Sequence, residues 1–111
     1  MAKDYVELAK EVDGRAVNLF KAAPGPMRAY RSLMEEATKD GALDSRTKEL
    51  MALAIAIAAP CEGCIVYHVR AAKKKGATRE QVAETIAVAI EMGGGPATVY
   101  GGEALAAYDA L

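Results

Sequence analysis

Residues 50–59, "LMALAIAIAA", are apolar on every side of a helix and are stopped by Pro60. A helix without a polar face has to be buried, either inside a globular core or inside a lipid bilayer. Ten residues are about half of the roughly 20 that a spanning helix requires, so the bilayer is excluded. The segment is therefore expected at the buried centre of a globular fold. Asp44 and Ser45 are both good N-caps for it, and the helix should run from there through "TKELMALAIAIAA". Pro60 ends it, because proline cannot continue the hydrogen-bond ladder.

The remaining segments read as further helices. Tyr5, Leu8, Val12, Ala16, Leu19 and Phe20 recur at the helical period, and "APGPM" at residues 23–27 interrupts them. Pro26 suits the first turn of a second helix, in which Tyr30, Leu33, Met34 and Ala37 continue the pattern until Gly41. A helix from Pro60 or Cys61 should end at Gly76, a natural C′ residue. Thr78 and Gln81 then form a capping box for a helix reaching Met92. "GGGP" at residues 93–96 separates a last helix over residues 98–111, weakened by Gly101 and Gly102. No segment alternates with period two. The sequence predicts an all-α fold of about six helices, organised as one domain over residues 1–111.

The composition fits this reading. Hydrophobic residues make up 52% of the 111, charged residues 26% and aromatics 5%. A chain this short buries roughly 65% of its unfolded surface, which gives it reason to bury more by forming a homo-oligomer. The net charge is −1, so neither nucleic acid nor an anionic membrane is an expected partner. Arg70, Lys73, Lys74 and Lys75 read as a solvated helix end, favourable at the negative pole of the dipole. "MAKD" at the start carries no apolar leader segment, which points to a cytoplasmic protein. In a reducing cytosol, paired cysteines are more often catalytic or metal-binding than structural.

Both cysteines and the single histidine fall within "PCEGCIVYH", residues 60–68. On a helix opening at Cys61, Cys64 and His68 follow at steps of three and four and share one face. Cys61 then meets the unpaired N–H groups and the positive dipole end, which stabilise a thiolate. His68, one turn beyond Cys64, is placed to take its proton. Four other uses of such a cluster are possible. A c-type haem site needs histidine directly after the second cysteine, where Ile65 stands. A structural zinc site needs four ligands, so Glu49 or a second subunit would have to supply the last. A thioredoxin needs a βαβ unit, and inert packing cysteines need no histidine at all. Glu49, just before the apolar run, either lies at the rim near Arg46 and Lys48 or is buried with a partner.

Taken together, "KELMALAIAIAAPCEGCIVYH" resembles the core motif of the AhpD-like alkylhydroperoxidases of the carboxymuconolactone decarboxylase superfamily. The likeness lies in a glutamate twelve residues before CxxC and a histidine four after it, and it extends over about residues 26–105. The resemblance implies a helical fold assembled into trimers or hexamers. It also implies thiol-dependent reduction of peroxides, or a disulfide reductase serving a peroxiredoxin, with a thiol electron donor. Position by position, Cys64 would attack, Cys61 would resolve, and His68 with Glu49 would form the proton relay. No cofactor or metal is implied. Family members often carry a histidine between the cysteines; here Glu62 and Gly63 stand there, and the Glu62 charge opposes a neighbouring thiolate. The rival readings are proton transfer on a small carbon acid by Glu49 and His68, or a non-enzymatic metal-binding oligomeric module. Decarboxylase members lack the cysteine pair.

Overall fold

The computed structural model describes residues 3–111, and the N-terminal reading begins at Met1 and Ala2, which lie outside them. Among the described residues there are six helices and no strand. They are α1 (Tyr5–Ala22), α2 (Pro24–Thr38), α3 (Ser45–Ala58), α4 (Glu62–Lys74), α5 (Arg79–Gly93) and α6 (Gly95–Ala110). The all-α expectation holds, and none of these helices is long and apolar enough to cross a membrane.

The helix ends follow local chemistry. The Asp4 carboxylate accepts from the N–H groups of Val6 and Glu7, and Asp44 accepts from Thr47 N–H at 2.7 Å. Asp44, rather than Ser45, is thus the cap of α3. Thr78 and Gln81 form both halves of the capping box at 3.1 and 3.0 Å. Ala23 alone separates α1 from α2, with Pro24 opening α2 and Pro26 in its first turn. Pro60 breaks the chain after α3, and Gly76 closes α4 at φ 88°.

Leu53 and Ile57 of α3, Ile65 and Val69 of α4, Val82 and Ile86 of α5, and Ala97, Ala104 and Ala107 of α6 form the core. One expectation about packing is corrected. The apolar run on α3 is not buried all round: Leu53, Ala56 and Ile57 are, but Met51 is half exposed and Ile55 is 66% exposed. Val88 and Met92, one turn apart on the adjoining α5, are exposed as well. Likewise the apolar period on α2 does not feed the core, since none of its residues is buried and Tyr30 and Leu33 are largely exposed.

α6 starts three residues earlier than its sequence suggests. Gly94, at φ 70°, lets the chain turn between α5 and α6 within a single residue, and Pro96 fits the first turn that follows. Gly101 is a contact point rather than a weakness. A Cβ there would lie 2.5 Å from the Ile86 Cγ2 methyl, so its absence lets α6 approach α5. That methyl is fixed to a β-branched carbon and moves only if χ1 rotates, which a helix restricts. Gly102, the next residue, has nothing within 4 Å of where its Cβ would be.

The two glycines should therefore respond oppositely to alanine. Gly102→Ala should stabilise by about 0.5–1 kcal/mol through helix propensity. Gly101→Ala should destabilise by about 1–2 kcal/mol, overpacking against Ile86 outweighing the same propensity gain. Urea denaturation of the two variants checks the pair. Equal shifts of the same sign would mean that the α5–α6 approach does not depend on Gly101.

Candidate functional site

The site is built where α3 hands over to α4. After Ala58 the chain turns through Ala59 and Pro60, and the N–H of Cys61 returns to the Ala56 carbonyl at 3.0 Å. Cys61 is the N-cap of α4, in extended conformation at φ −141°, and its Sγ accepts from the Cys64 N–H at 3.3 Å. A sulfur at an N-cap receives one of the backbone donors that the first turn leaves unpaired. Cys61 and Cys64 are joined by a disulfide, with their Cα atoms 5.1 Å apart.

The turn folds α4 back along α3, which sets His68 against Glu49. His68 Nδ1 lies 2.7 Å from Glu49 Oε2, nineteen residues away in sequence. Glu49 is 5% exposed, so its carboxylate is buried and its charge is met by the imidazole rather than by water. The rim position is thereby excluded. The two cations that could have drawn Glu49 outward are engaged elsewhere: Lys48 donates to the Lys39 carbonyl at 2.7 Å, and Arg46 lies 3.9 Å from Asp44. With the carboxylate accepting from Nδ1–H, the contact places a proton on Nδ1 and leaves Nε2 as the nitrogen able to exchange one. Tyr67 packs edge-on to the His68 ring, centroids 5.0 Å apart. Its phenol is pushed above the ordinary range by burial first and by the nearby Glu49 charge second.

A cavity of about 780 Å³ lies between α1, α2 and α4. Cys64, Tyr67 and His68 form its α4 wall; Val12, Phe20, Met27, Tyr30 and Met34 supply most of the apolar surface opposite. Cys64 lines this cavity and Cys61 does not. A forked ion pair holds α1 against α4, the Arg70 guanidinium donating to both Asp13 oxygens at 2.9 and 2.8 Å. That pair keeps the Asp13 carboxyl below its usual range. Arg70 is therefore a tether rather than part of a solvated helix end. Lys73 is engaged as well, donating to the Tyr108 carbonyl at 2.8 Å and lying over the Tyr108 ring. Gly63, between the cysteines, faces Val12 of α1, with 3.5 Å between its missing Cβ position and the nearest methyl.

The structure brings together the predicted site residues as two pairs, Cys61 with Cys64 and Glu49 with His68. It changes the expectation for Glu62. Lys3 forms ion pairs with Glu62 and with Glu103, and these two contacts raise the Lys3 ammonium pKa, Glu103 contributing most. The Glu62 charge is thus offset at the mouth of α4 instead of standing unopposed beside the sulfurs. Sequence reasoning missed the cavity and Tyr67. The α1 and α2 walls showed only as helical apolar spacing, which reads as core.

Known proteins agree with this architecture. Residues 24–107 match the carboxymuconolactone decarboxylase family. The Cupriavidus necator protein H16_B0147, itself uncharacterised, is 41% identical over 111 residues, which is all of this chain and 98% of that one. The apo crystal structure of lpg0406, a carboxymuconolactone decarboxylase family protein from Legionella pneumophila, superposes with a TM-score of 0.92. It is 42% identical and covers 97% of this chain and 96% of its own. The Thermotoga maritima family protein TM1620, for which an involvement in antioxidative response has been suggested, gives a TM-score of 0.77. It is 25% identical, over 96% of this chain and 88% of that one. By sequence match and by fold, and with the glutamate–CxxC–histidine motif in place, the chain belongs to the AhpD-like carboxymuconolactone decarboxylase family.

Proposed function

We propose that this protein is a cytoplasmic thiol-dependent oxidoreductase that reduces peroxides or disulfides, cycling between a Cys61, Cys64 dithiol and their disulfide. The observation that carries this reading is the asymmetry of the pair. Cys64 lines a cavity together with His68, which Glu49 holds by a buried 2.7 Å contact, while Cys61 sits behind it as the N-cap. A suggested antioxidative role for the Thermotoga maritima relative supports the same class.

In the proposed cycle His68 takes the Cys64 proton and Glu49 stabilises the resulting imidazolium. The thiolate attacks the outer peroxide oxygen and the O–O bond breaks. The departing alkoxide takes a proton from His68 and leaves as an alcohol, and Cys64 is left as a sulfenic acid. Cys61 attacks that sulfur, water leaves, and the disulfide forms. An external thiol donor gives two electrons and two protons to the Cys61–Cys64 disulfide and restores the dithiol; where an oxidised peroxiredoxin is the substrate instead, the dithiol gives its two electrons to the peroxiredoxin disulfide and the same donor restores the pair. A disulfide substrate would be attacked by the same thiolate, with Cys61 resolving the mixed disulfide. The helix dipole favours Cys61 as the more acidic thiol, but access and a nearby base favour Cys64 as the attacking one.

Peroxide consumption with dithiothreitol as donor tests the reading. Cys64→Ser should abolish turnover, whereas a protein working only by proton transfer on a carbon acid would show no Cys64-dependent peroxide consumption. His68→Ala should slow alkylation of Cys64 near neutral pH, on the order of 10²-fold for a lost general base. Glu49→Gln should slow it by a smaller factor. Cys61→Ser should keep alkylation fast but accumulate sulfenic acid. If neither His68 nor Glu49 alters the alkylation rate, the relay is wrong.

We further propose a homo-oligomer, a trimer or hexamer, in which a second copy covers the exposed stripes of α3 and α5. Ile55 and Met92 are 66% and 78% exposed, and neighbouring Met51 and Val88 extend the apolar surface. Sedimentation at micromolar concentration should show an assembly larger than a dimer. Ile55→Glu combined with Met92→Glu should shift it to monomer while far-ultraviolet circular dichroism stays helical. A wild-type monomer would overturn the assembly without touching the redox reading.

A further inference from the structure

The cavity is larger and more apolar than a small peroxide needs, and it carries charges that the proposed cycle does not use. Beyond Cys64 and His68, its wall includes Lys21 of α1 and Arg31 and Glu35 of α2. Arg31 lies over the Phe20 ring, 5.5 Å from its centroid. Among the described residues neither Arg31 nor Lys21 has a carboxylate within ion-pair distance, although the chain pairs Arg70 with Asp13 and Arg79 with Asp109. Two cations against one carboxylate leave a net positive charge on the wall of a mostly apolar space. Arg31 lines the same cavity as Cys64, Tyr67 and His68, and its positive charge works against the burial that raises the Tyr67 phenol pKa.

An arginine with no carboxylate of its own, its guanidinium beside an aromatic ring, offers a fork of donors to a planar anion. The apolar side chains around it would cover a hydrocarbon chain, and about 780 Å³ is within the range of sites that enclose such ligands. Resting on the peroxidase reading above, we propose that the cavity takes an apolar hydroperoxide bearing a carboxylate, with its hydroperoxide at Cys64 and its carboxylate on Arg31. Lys21 adds long-range attraction for the anion, and Glu35 opposes it. The chemistry is the same two-electron step. The Cys64 thiolate takes the outer oxygen, the O–O bond breaks, the alkoxide is protonated from His68, and a hydroxy acid leaves. The thiol donor then restores the dithiol.

Hydroxylinoleate, the alcohol product of a linoleate hydroperoxide, reports the site without turnover. Isothermal titration of the disulfide form should show the acid binding about tenfold more tightly than its methyl ester, as for one charge-assisted contact. Arg31→Gln should erase that preference, Arg31→Lys should restore part of it, and Glu35→Gln should enlarge it. In turnover, the ratio of kcat/KM for linoleate hydroperoxide to that for its methyl ester should fall about tenfold in Arg31→Gln. Equal binding of acid and ester, or an Arg31→Gln variant that weakens both alike, would overturn the anion site. Charge-dependent binding with no reduction of any peroxide would instead overturn the peroxidase reading, and with it the hydroperoxide as substrate.

Discussion

The contact between Glu49 and His68 is the constraint on which the rest of the site depends. A carboxylate this deeply buried would be strongly unfavourable alone, so α3 and α4 are held in the one register that gives it a partner. That register fixes where α4 begins relative to the end of α3. Pro60 must stop the first helix, and Cys61 must cap the second, within three residues. The two sulfurs then fall at the N-terminus of α4, Cys64 one helical turn and Cys61 about two turns from the imidazole that Glu49 orients. A change at Glu49 would therefore act on the ring position and on the hairpin at once.

The two cysteines occupy different electrostatic surroundings despite being three residues apart. Cys61 receives a backbone N–H and sits at the positive end of the helix, which favours negative charge on its sulfur. Cys64 faces the cavity on the side of His68. In thiol exchange, a sulfur that holds negative charge easily is a good leaving group, and a sulfur with access and a base is a good nucleophile. In the proposed cycle the helix dipole and the cavity-side position therefore favour different cysteines for different steps, Cys61 as leaving group and Cys64 as nucleophile. Lys3 supports this division by pairing with Glu62, so that an acidic residue in the first turn does not oppose charge on either sulfur.

Much of the fold was legible because its signals are local. Asp44, Pro60, Gly76, and Thr78 with Gln81 each act within a few residues of themselves, and each ended or began a helix near the position its chemistry dictates. That Glu49, Cys61, Cys64 and His68 belong to one locality was legible for another reason: a glutamate, two cysteines and a histidine at helical spacings have few bland explanations. What stayed hidden depends on partners distant in sequence. The Lys3–Glu62 pair spans 59 residues, and Gly101 looks like a helix breaker until Ile86 is placed against it. The exposure of Ile55 was equally unreadable, since helical spacing records that a residue is apolar but not what covers it.

α2 illustrates that last point furthest. Its apolar residues repeat at the helical period, yet none is buried, and Met27, Tyr30 and Met34 line the cavity instead. Stability in this chain rests on α3 to α6, where Leu53, Ile57, Val69 and Val82 are inaccessible to water. The cysteine pair and the Glu49–His68 contact lie on α3 and α4 within that part, whereas the cavity wall facing them belongs to α1 and α2. Substituting a half-exposed wall residue removes little buried area, so its cost to folding is small compared with a change in the core. The wall can therefore change its charge and shape while Cys61, Cys64, His68 and Glu49 keep their geometry. Under the proposed function, the chemistry would be fixed by the bundle, and the choice of substrate would be left to the helix that contributes least to holding it together.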